Sequence, residues 1–450
     1  MELTISTYFF VPYLIFLCLK KSSYIFYNLL FFSAFTSISI FNIGNGSTSI
    51  TLFQCISLIL FTKVLILILL KKINFNIPIN KWLLFFVIIC GLSIMFISYK
   101  TKYIVLSPDN IYTNVKFSIQ CITQYGYLLL GYIVYIISII LYDNKIINIS
   151  KSIRVLEYAF ISVLLLGIVQ VFLPIELYNE YFRNTVYINN QTFLGMTRIS
   201  STNIEASMLA LFITPIICML LSKFGEINKL KYLFVAIFGI IIAVISNSSS
   251  FYFGIITYLI ISIVAFFVRR KKILTPKHII IYYISIIIIA ILVILFKDYL
   301  LQGITNLVEK LNSQGVSGSE RTLALKTHLD VFKSNIFFGI GFGTTRSYDL
   351  FSSWLVQIGV IGMSFYIIYI IKNIFLLIKK SNVEKIGVVI LIFITNIIMF
   401  SSVPEFNYLY IWIYYAMADY LIYQDKLNEI IMYKTKVRFK GVSYESINNE

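Results

Sequence analysis

The side chains able to do chemistry in this 450-residue chain gather in two polar stretches. The first closes with Gly195-Met196-Thr197-Arg198-Ile199-Ser200-Ser201-Thr202-Asn203-Ile204-Glu205-Ala206 and runs straight into an apolar segment. The second holds Ser319-Glu320-Arg321, then His328, then Gly339-Ile340-Gly341-Phe342-Gly343-Thr344-Thr345-Arg346, and ends near Tyr348-Asp349. With Arg183 they supply four arginines: Arg183, Arg198, Arg321 and Arg346. A guanidinium is planar, permanently charged and forked, so it grips phosphate through paired charge-assisted bonds. Arginines placed at the border of apolar sequence would therefore hold a phosphorylated substrate there. Glu205 lies a helical turn or two beyond Arg198, at a depth where an ionisable group is costly unless it meets a partner or a wet cavity. The plainer reading makes Arg198 a headgroup contact and Glu205 its local partner. Arg321 and His328, seven residues apart, share one helix face two turns apart. Gly339, Gly341 and Gly343 could bring backbone amides close to an anion, or could form a turn and a tight start to the next helix. They follow no predicted strand, which sets aside a nucleotide-binding fingerprint.

The elements that must position these groups are membrane helices. Apolar residues make up 59% of the chain and charged ones 13%, with mean hydropathy +0.87, against about 45–50% and 25% in soluble domains. Apolar runs of about 17–22 residues, the length that crosses a hydrocarbon core, fall near 3–19, 24–43, 50–70, 82–99, 121–142, 155–174, 205–222, 232–246, 251–268, 279–296, 351–371, 386–403 and 408–423. The expected fold class is all-α: one integral membrane domain over residues 1–450, a polytopic bundle of about 12–13 transmembrane helices.

The net charge of +17 would suit nucleic acid only on a folded basic module. Here the basic residues sit between apolar spans, so membrane lipid is the expected partner and nucleic acid is not. If alternate connections beginning with Lys20-Lys21 are cytoplasmic, they collect most of the 37 basic residues, including Arg269-Arg270-Lys271-Lys272 and the tail at 424–450. That bias places the C-terminus in the cytoplasm and the N-terminus outside. Two long segments then face outward: 175–204 and 297–350. The second includes Leu325, Leu329 and Phe332, spaced as one apolar stripe on an amphipathic helix lying on or beside the bundle. Loops this long in so apolar a chain are where function is expected.

Other features point elsewhere. Cys18, Cys55, Cys90, Cys121 and Cys218 lie in or beside apolar runs without disulfide or metal-ligand spacing, and His278 and His328 stand far apart, so no metal is expected. No basic region precedes the first apolar run, so no cleaved signal peptide is expected. Lys63, Glu157 and Asp419, in or near spans, are expected to pair structurally inside the bundle. Lys434, Lys436, Arg438 and Lys440 suit a cytoplasmic anchor on anionic lipid.

The order of these features resembles the O-antigen polymerase and ligase superfamily. Four pieces carry the resemblance over about residues 190–365: the Arg198 to Glu205 junction, Ile245-Ser246-Asn247-Ser248-Ser249-Ser250, Ser319-Glu320-Arg321, and Asn335-Ile336-Phe337-Phe338-Gly339-Ile340-Gly341-Phe342-Gly343 running on to Gly359-Val360-Ile361-Gly362. The serine hairpin often carries an arginine in the family; serines stand here, and no charge role falls to them. Ligases carry a histidine-asparagine pair shortly after the glycine run, where this chain has Tyr348-Asp349, which favours a polymerase.

The resemblance implies a glycosyltransferase of the bacterial cytoplasmic membrane that uses polyprenyl-pyrophosphate-linked oligosaccharide, with no cofactor, nucleotide sugar or metal. One carrier would give its glycan to the non-reducing end of the glycan on another. It further implies that Arg198 and Arg321 clamp the pyrophosphate, with Arg183, Arg346, Gly339, Gly341 and Gly343 as further substrate contacts. Glu205 is the first choice for general base, with Asp349 or His328 in reserve. A polysaccharide chain-length regulator, where one exists, would dock on the outer loops. Rival expectations are a ligase and a lipid-linked oligosaccharide flippase. The flippase is opposed by the long outer loop and by the absence of a paired half-sequence repeat.

Overall fold

The computed structural model describes residues 2–43, 48–75, 79–107, 111–186, 188, 190, 192–193, 196–227, 229–268, 297, 301, 305, 308, 312, 315–379 and 382–445. The apolar runs read from the sequence fall largely on helices, apart from 24–43, which is helical only in its first half, and 279–296, which lies outside the described residues. The helices are α1 (Ile5–Cys18), α2 (Ser22–Phe32), α3 (Leu52–Leu69), α4 (Lys81–Met95), α5 (Ile119–Asp143), α6 (Ile149–Phe172), the short α7 (Ile175–Phe182), α8 (Ala206–Ile227), α9 (Leu230–Ser246) and α10 (Ser249–Val268). They continue with an outer helix (Gly315–Lys333), a broken helix (Leu350–Lys379), a helix over Val383–Ser401, and a C-terminal helix (Leu409–Glu445) that runs on into the basic tail. Six of them, α3, α5, α6, α8, the broken helix and Val383–Ser401, are long and apolar enough to cross a membrane. The molecule is a polytopic helical membrane protein.

Backbone polar groups cannot be left bare in hydrocarbon, and the helix ends show how this sequence meets that demand. Asn80 accepts from Trp82 N at 3.2 Å, Asn148 from Lys151 N at 2.8 Å and Asn382 from Lys385 N at 2.8 Å. Thr51 and Gln54 form a capping box at α3. At the core lies α8, packed against α9, α10 and Val383–Ser401 and buried along most of its length. Beside it the C-terminal helix is buried from Leu409 to Ile422.

Small antiparallel ribbons, not expected from the sequence, interrupt the helices. They are β1-β2-β3 (Glu2–Leu3, Ser39–Ile43, Thr48–Thr51), β4-β5 (Ile104–Leu106, Tyr112–Asn114) and β6-β7 (Thr192–Phe193, Met196–Thr197). The run expected as a helix over 24–43 accordingly stops at Phe32 and turns into β2. Hydrogen bonds tie the ribbons to the two polar stretches. Ser37 Oγ donates to Thr202 O at 2.9 Å, Asn184 Oδ1 accepts from Ser39 N at 2.6 Å, and Arg346 N donates to Leu106 O at 2.9 Å. One end of the bundle is thereby assembled from segments far apart in sequence.

The helix Leu350–Lys379 is broken at Gly359, whose φ of 64° takes it out of helical geometry. Residues 336–341 fill the break: Ile340 N donates to Val356 O and Gly341 N to Gln357 O, each at 2.9 Å, and Val360 N donates to Ile336 O at 2.8 Å. Two glycines make this approach feasible. A Cβ on Gly359 would stand 2.2 Å from Phe337 O, and one on Gly339, at φ 66°, would stand 2.4 Å from Val356 O. Both backbones come too close, in a conformation that disfavours any side chain.

Candidate functional site

The site is built from the first polar stretch upward. Gln170 of α6 accepts from Ser200 N at 3.0 Å and Ser201 N at 2.7 Å, and Thr36 donates to Asn203 at 3.0 Å. Behind this turn lies Arg183, fully buried. Its Nε donates to Asn203 O at 2.9 Å and Nη2 to Ile204 O at 2.6 Å, while Nη1 reaches Asn179 Oδ1 at 3.1 Å and Asn190 Oδ1 at 2.8 Å. Burial lowers its pKa to about 10. Arg183 thus props the turn that delivers Glu205 to the start of α8, and stands in the wall of the site.

Arg198 crosses to the serine hairpin. Its Nε donates to Ser246 O at 3.1 Å and Nη2 to Asn247 O at 2.9 Å. Asn247 sits in the left-handed region at φ 47°, the cap that turns α9 into α10. Glu205 accepts from Ser207 Oγ and interacts electrostatically with both Arg198 and Arg321. Burial lowers the pKa of each arginine, with Glu205 acting in the opposite sense.

The outer helix supplies Arg321. Its guanidinium lies 5.3 Å from the centre of the Tyr348 ring, a cation–π contact, and Tyr348 Oη donates to Glu320 at 3.0 Å. Arg321 Nε is buried and has no hydrogen-bond partner among the described residues. A buried guanidinium donor left unmatched is costly, so this atom is open to an acceptor beyond those the described residues supply. The face of the outer helix turned to the bundle carries Arg321, Ala324, His328 and Val331. Of the stripe picked out by the sequence, Leu325 and Leu329 are exposed, while Phe332 is half-buried against the cluster around Ile97 and Val105. The reason is local: His328 brings its own partners, which make a polar residue suitable for burial.

His328 is fully buried, its Nε2 2.9 Å from Thr345 Oγ1 and its Nδ1 3.5 Å from Ser352 Oγ. Burial lowers its pKa to about 4, so the ring is neutral at pH 7. Asp349 caps the broken helix, accepting from Ser352 N at 2.6 Å, Ser352 Oγ at 2.7 Å and Ser347 Oγ at 3.1 Å. It also adds negative charge near Arg321 and His328. The glycines pack against protein. A Cβ on Gly341 would meet Ile97 at 2.2 Å, and one on Gly343 would meet Cys121 Cα at 2.8 Å. Arg346 is exposed, with its backbone tied to β4.

Arg198, Glu205, Arg321, Arg346 and Asp349 therefore share one charged mouth. His328 lies beneath it, and Arg183 and the three glycines shape its walls. Two members of the mouth carried no role in the sequence reading. Tyr348 braces Arg321. Glu405, in the short connection before the C-terminal helix, interacts with Arg346 and Glu205, and burial together with Glu205 raises its pKa. The available signal was an acidic residue in the polar break Val403-Pro404-Glu405-Phe406-Asn407, between two apolar spans.

A membrane-embedded helical bundle with an arginine-rich mouth at one end is the class that fold and site define. Residues 233–353 match the Wzy_C family, described as O-antigen ligase. That stretch is thus similar to the Wzy_C O-antigen ligase and polymerase family, whose members assemble polysaccharide from lipid-linked oligosaccharide. The matched stretch contains the serine hairpin, Arg321, His328, the glycine run and Asp349; Arg183, Arg198, Glu205 and Glu405 lie outside it. No curated protein matches the chain.

Proposed function

We propose that this protein is a repeat-unit polymerase. It transfers an oligosaccharide from one polyprenyl-pyrophosphate carrier to the non-reducing end of the glycan on another, with the mouth on the outer face of the bacterial cytoplasmic membrane. The observation that carries the reading is Arg321: a half-buried guanidinium whose buried Nε has no partner among the described residues, in a mouth shared with Arg198. Two arginines on separate segments suit the two phosphates of a departing pyrophosphate, whose negative charge grows as the sugar–oxygen bond breaks. Their fixed charges do the work a metal ion would otherwise do, so a metal-independent transfer is expected.

The acceptor hydroxyl must lose its proton to a base of this mouth, an ionised carboxylate. His328 is buried with a partner near each ring nitrogen, and Asp349 holds the broken helix. Of the three groups expected from the sequence, that leaves Glu205 in the mouth, beside Arg198 and Arg321. Tyr348-Asp349, at the place where ligases carry histidine-asparagine, favours polymerase over ligase.

The test is made in the host. The gene is deleted, then wild type, Arg198→Ala and Arg321→Ala are restored separately, and the surface glycan is displayed by size at matched membrane levels of protein. Polymerase activity predicts single repeats on the surface acceptor after deletion, a full ladder with wild type, and no ladder with either variant. Normal polymer retained on its carrier would make it a ligase, and loss of all repeats from the outer face would make it a flippase.

A further inference from the structure

Glu405 stands in a connection fixed along its whole length. Ser402 Oγ donates to Ser250 Oγ of the serine hairpin at 2.9 Å, and Trp412 Nε1 donates to Phe406 O at 2.8 Å. The Phe406 ring lies 5.7 Å from that of Phe342 in the glycine run and 5.6 Å from that of Trp354 in the broken helix. Tyr408 reaches Met208, in the first turn of α8, at 2.9 Å. Four separate parts of the site thus hold this short segment, and they place its acid in the mouth. The groups that face Glu405 are Arg346 from the glycine-run loop, Glu205 from the start of α8, Tyr127 from α5, and Tyr408 and Tyr410 from the C-terminal helix.

The two carboxyls of the mouth have different neighbours. Glu205 faces two guanidinium groups, those of Arg198 and Arg321, and serves as their common counter-ion. Glu405 faces one, Arg346, together with the like charge of Glu205.

Resting on the polymerase reading, we propose that Glu405 is the catalytic carboxylate that takes the proton from the acceptor hydroxyl, while Glu205 orients the arginine pair. The acceptor oxygen bonds to the anomeric carbon of the donor glycan as its proton passes to Glu405. The bond from that carbon to the pyrophosphate oxygen breaks, and its electron pair leaves with the pyrophosphate facing Arg198 and Arg321. The proton then passes from Glu405 to water. Burial pushes the Glu405 carboxyl upward, with Arg346 opposing and Glu205 reinforcing the shift, the direction that strengthens a carboxylate as a base.

Wild type, Glu405→Gln, Glu405→Asp and Glu205→Gln are purified in nanodiscs and supplied with lipid-linked repeat isolated from the host. Transfer rate is read from pH 5 to 9, and binding of polyprenyl pyrophosphate is measured separately. Glu405→Gln should lose about 100-fold or more in rate, lose the acid limb of the pH profile, and bind polyprenyl pyrophosphate as wild type does. Glu405→Asp should recover part of the rate together with the acid limb. Glu205→Gln should alter pyrophosphate affinity and keep the acid limb. A Glu405→Gln protein with the wild-type rate and acid limb overturns the proposal, as does one that loses pyrophosphate binding in parallel with rate. Wild type that transfers no glycan overturns the polymerase reading itself.

Discussion

Two of the places where the described residues bury ionisable groups treat them in opposite ways. Inside the helices, Asp419 meets only neutral donors: Tyr135 Oη at 2.5 Å, Asn373 Nδ2 at 2.8 Å, Asn80 Nδ2 at 3.0 Å and Tyr369 Oη at 3.3 Å. Each carboxylate oxygen accepts twice, and two helices besides its own, α5 and the broken helix, together with the Asn80 cap of α4, are joined through it. At the mouth, by contrast, arginines and carboxyls crowd together and one buried guanidinium donor has no partner among the described residues. Saturation is the mark of a structural group, since nothing remains for a ligand to bind. An unmatched donor beside opposing charges is the mark of a site prepared for an anion. The same contrast separates the arginines, because Arg183 is enclosed by four acceptors and Arg321 is not.

The largest expected effect falls on the mouth. Arg321→Ala should remove about 2–4 kcal/mol of transition-state stabilisation, two to three decades in transfer rate, with folding retained. Arg321→Lys should fail nearly as badly, because an ammonium cannot reproduce the fork; single-turnover transfer measures both. A lysine variant with normal activity would erase the distinction between mouth and bundle.

His328 sharpens the comparison through pH. Its pKa in the folded protein is about 4, below the roughly 6.5 of an exposed histidine. The unfolded chain therefore binds more protons between these values, so stability is complete above about pH 6.5 and falls as pH drops toward 4, by up to about 3 kcal/mol. His328→Gln should flatten that decline in thermal unfolding curves recorded from pH 7 to 4.

At the saturated cluster, Asp419→Ala should cost about 1–3 kcal/mol in stability by stranding buried donors, while transfer per folded molecule stays near wild type. A hundredfold loss of rate there would make Asp419 functional and break the contrast. Least affected should be Asp349→Ser, which keeps a helix cap: its melting temperature should move by a few degrees at most, and Asp349→Ala should cost about 1 kcal/mol more.

Much of the fold was legible because hydrophobic length is so direct a signal in lipid. Runs such as 155–174 and 386–403 became α6 and Val383–Ser401 with only small shifts. The ribbons were not legible: Ser39–Ile43 reads as the end of an apolar run, and its pairing with Thr48–Thr51 and Glu2–Leu3 is set by contacts distant in sequence. The outer helix was expected where it lies, yet its buried face follows His328 and the partners Thr345 and Ser352, which one helix's periodicity cannot reveal. Within the site, arginine chemistry picked out Arg198 and Arg321. Glu405 shows in the sequence only as an acidic residue in a polar break, because its neighbours Arg346 and Glu205 are brought to it by folding from distant positions.

The central claim is tested most directly by purified wild-type protein in nanodiscs, supplied with a single polyprenyl-pyrophosphate-linked repeat and no other acceptor, with products separated by size. The account predicts a ladder of lengthening lipid-linked glycans, one polyprenyl pyrophosphate released per added repeat, and no ladder from Arg321→Ala. Glycans that stay at one repeat while the wild-type protein binds the carrier would contradict it.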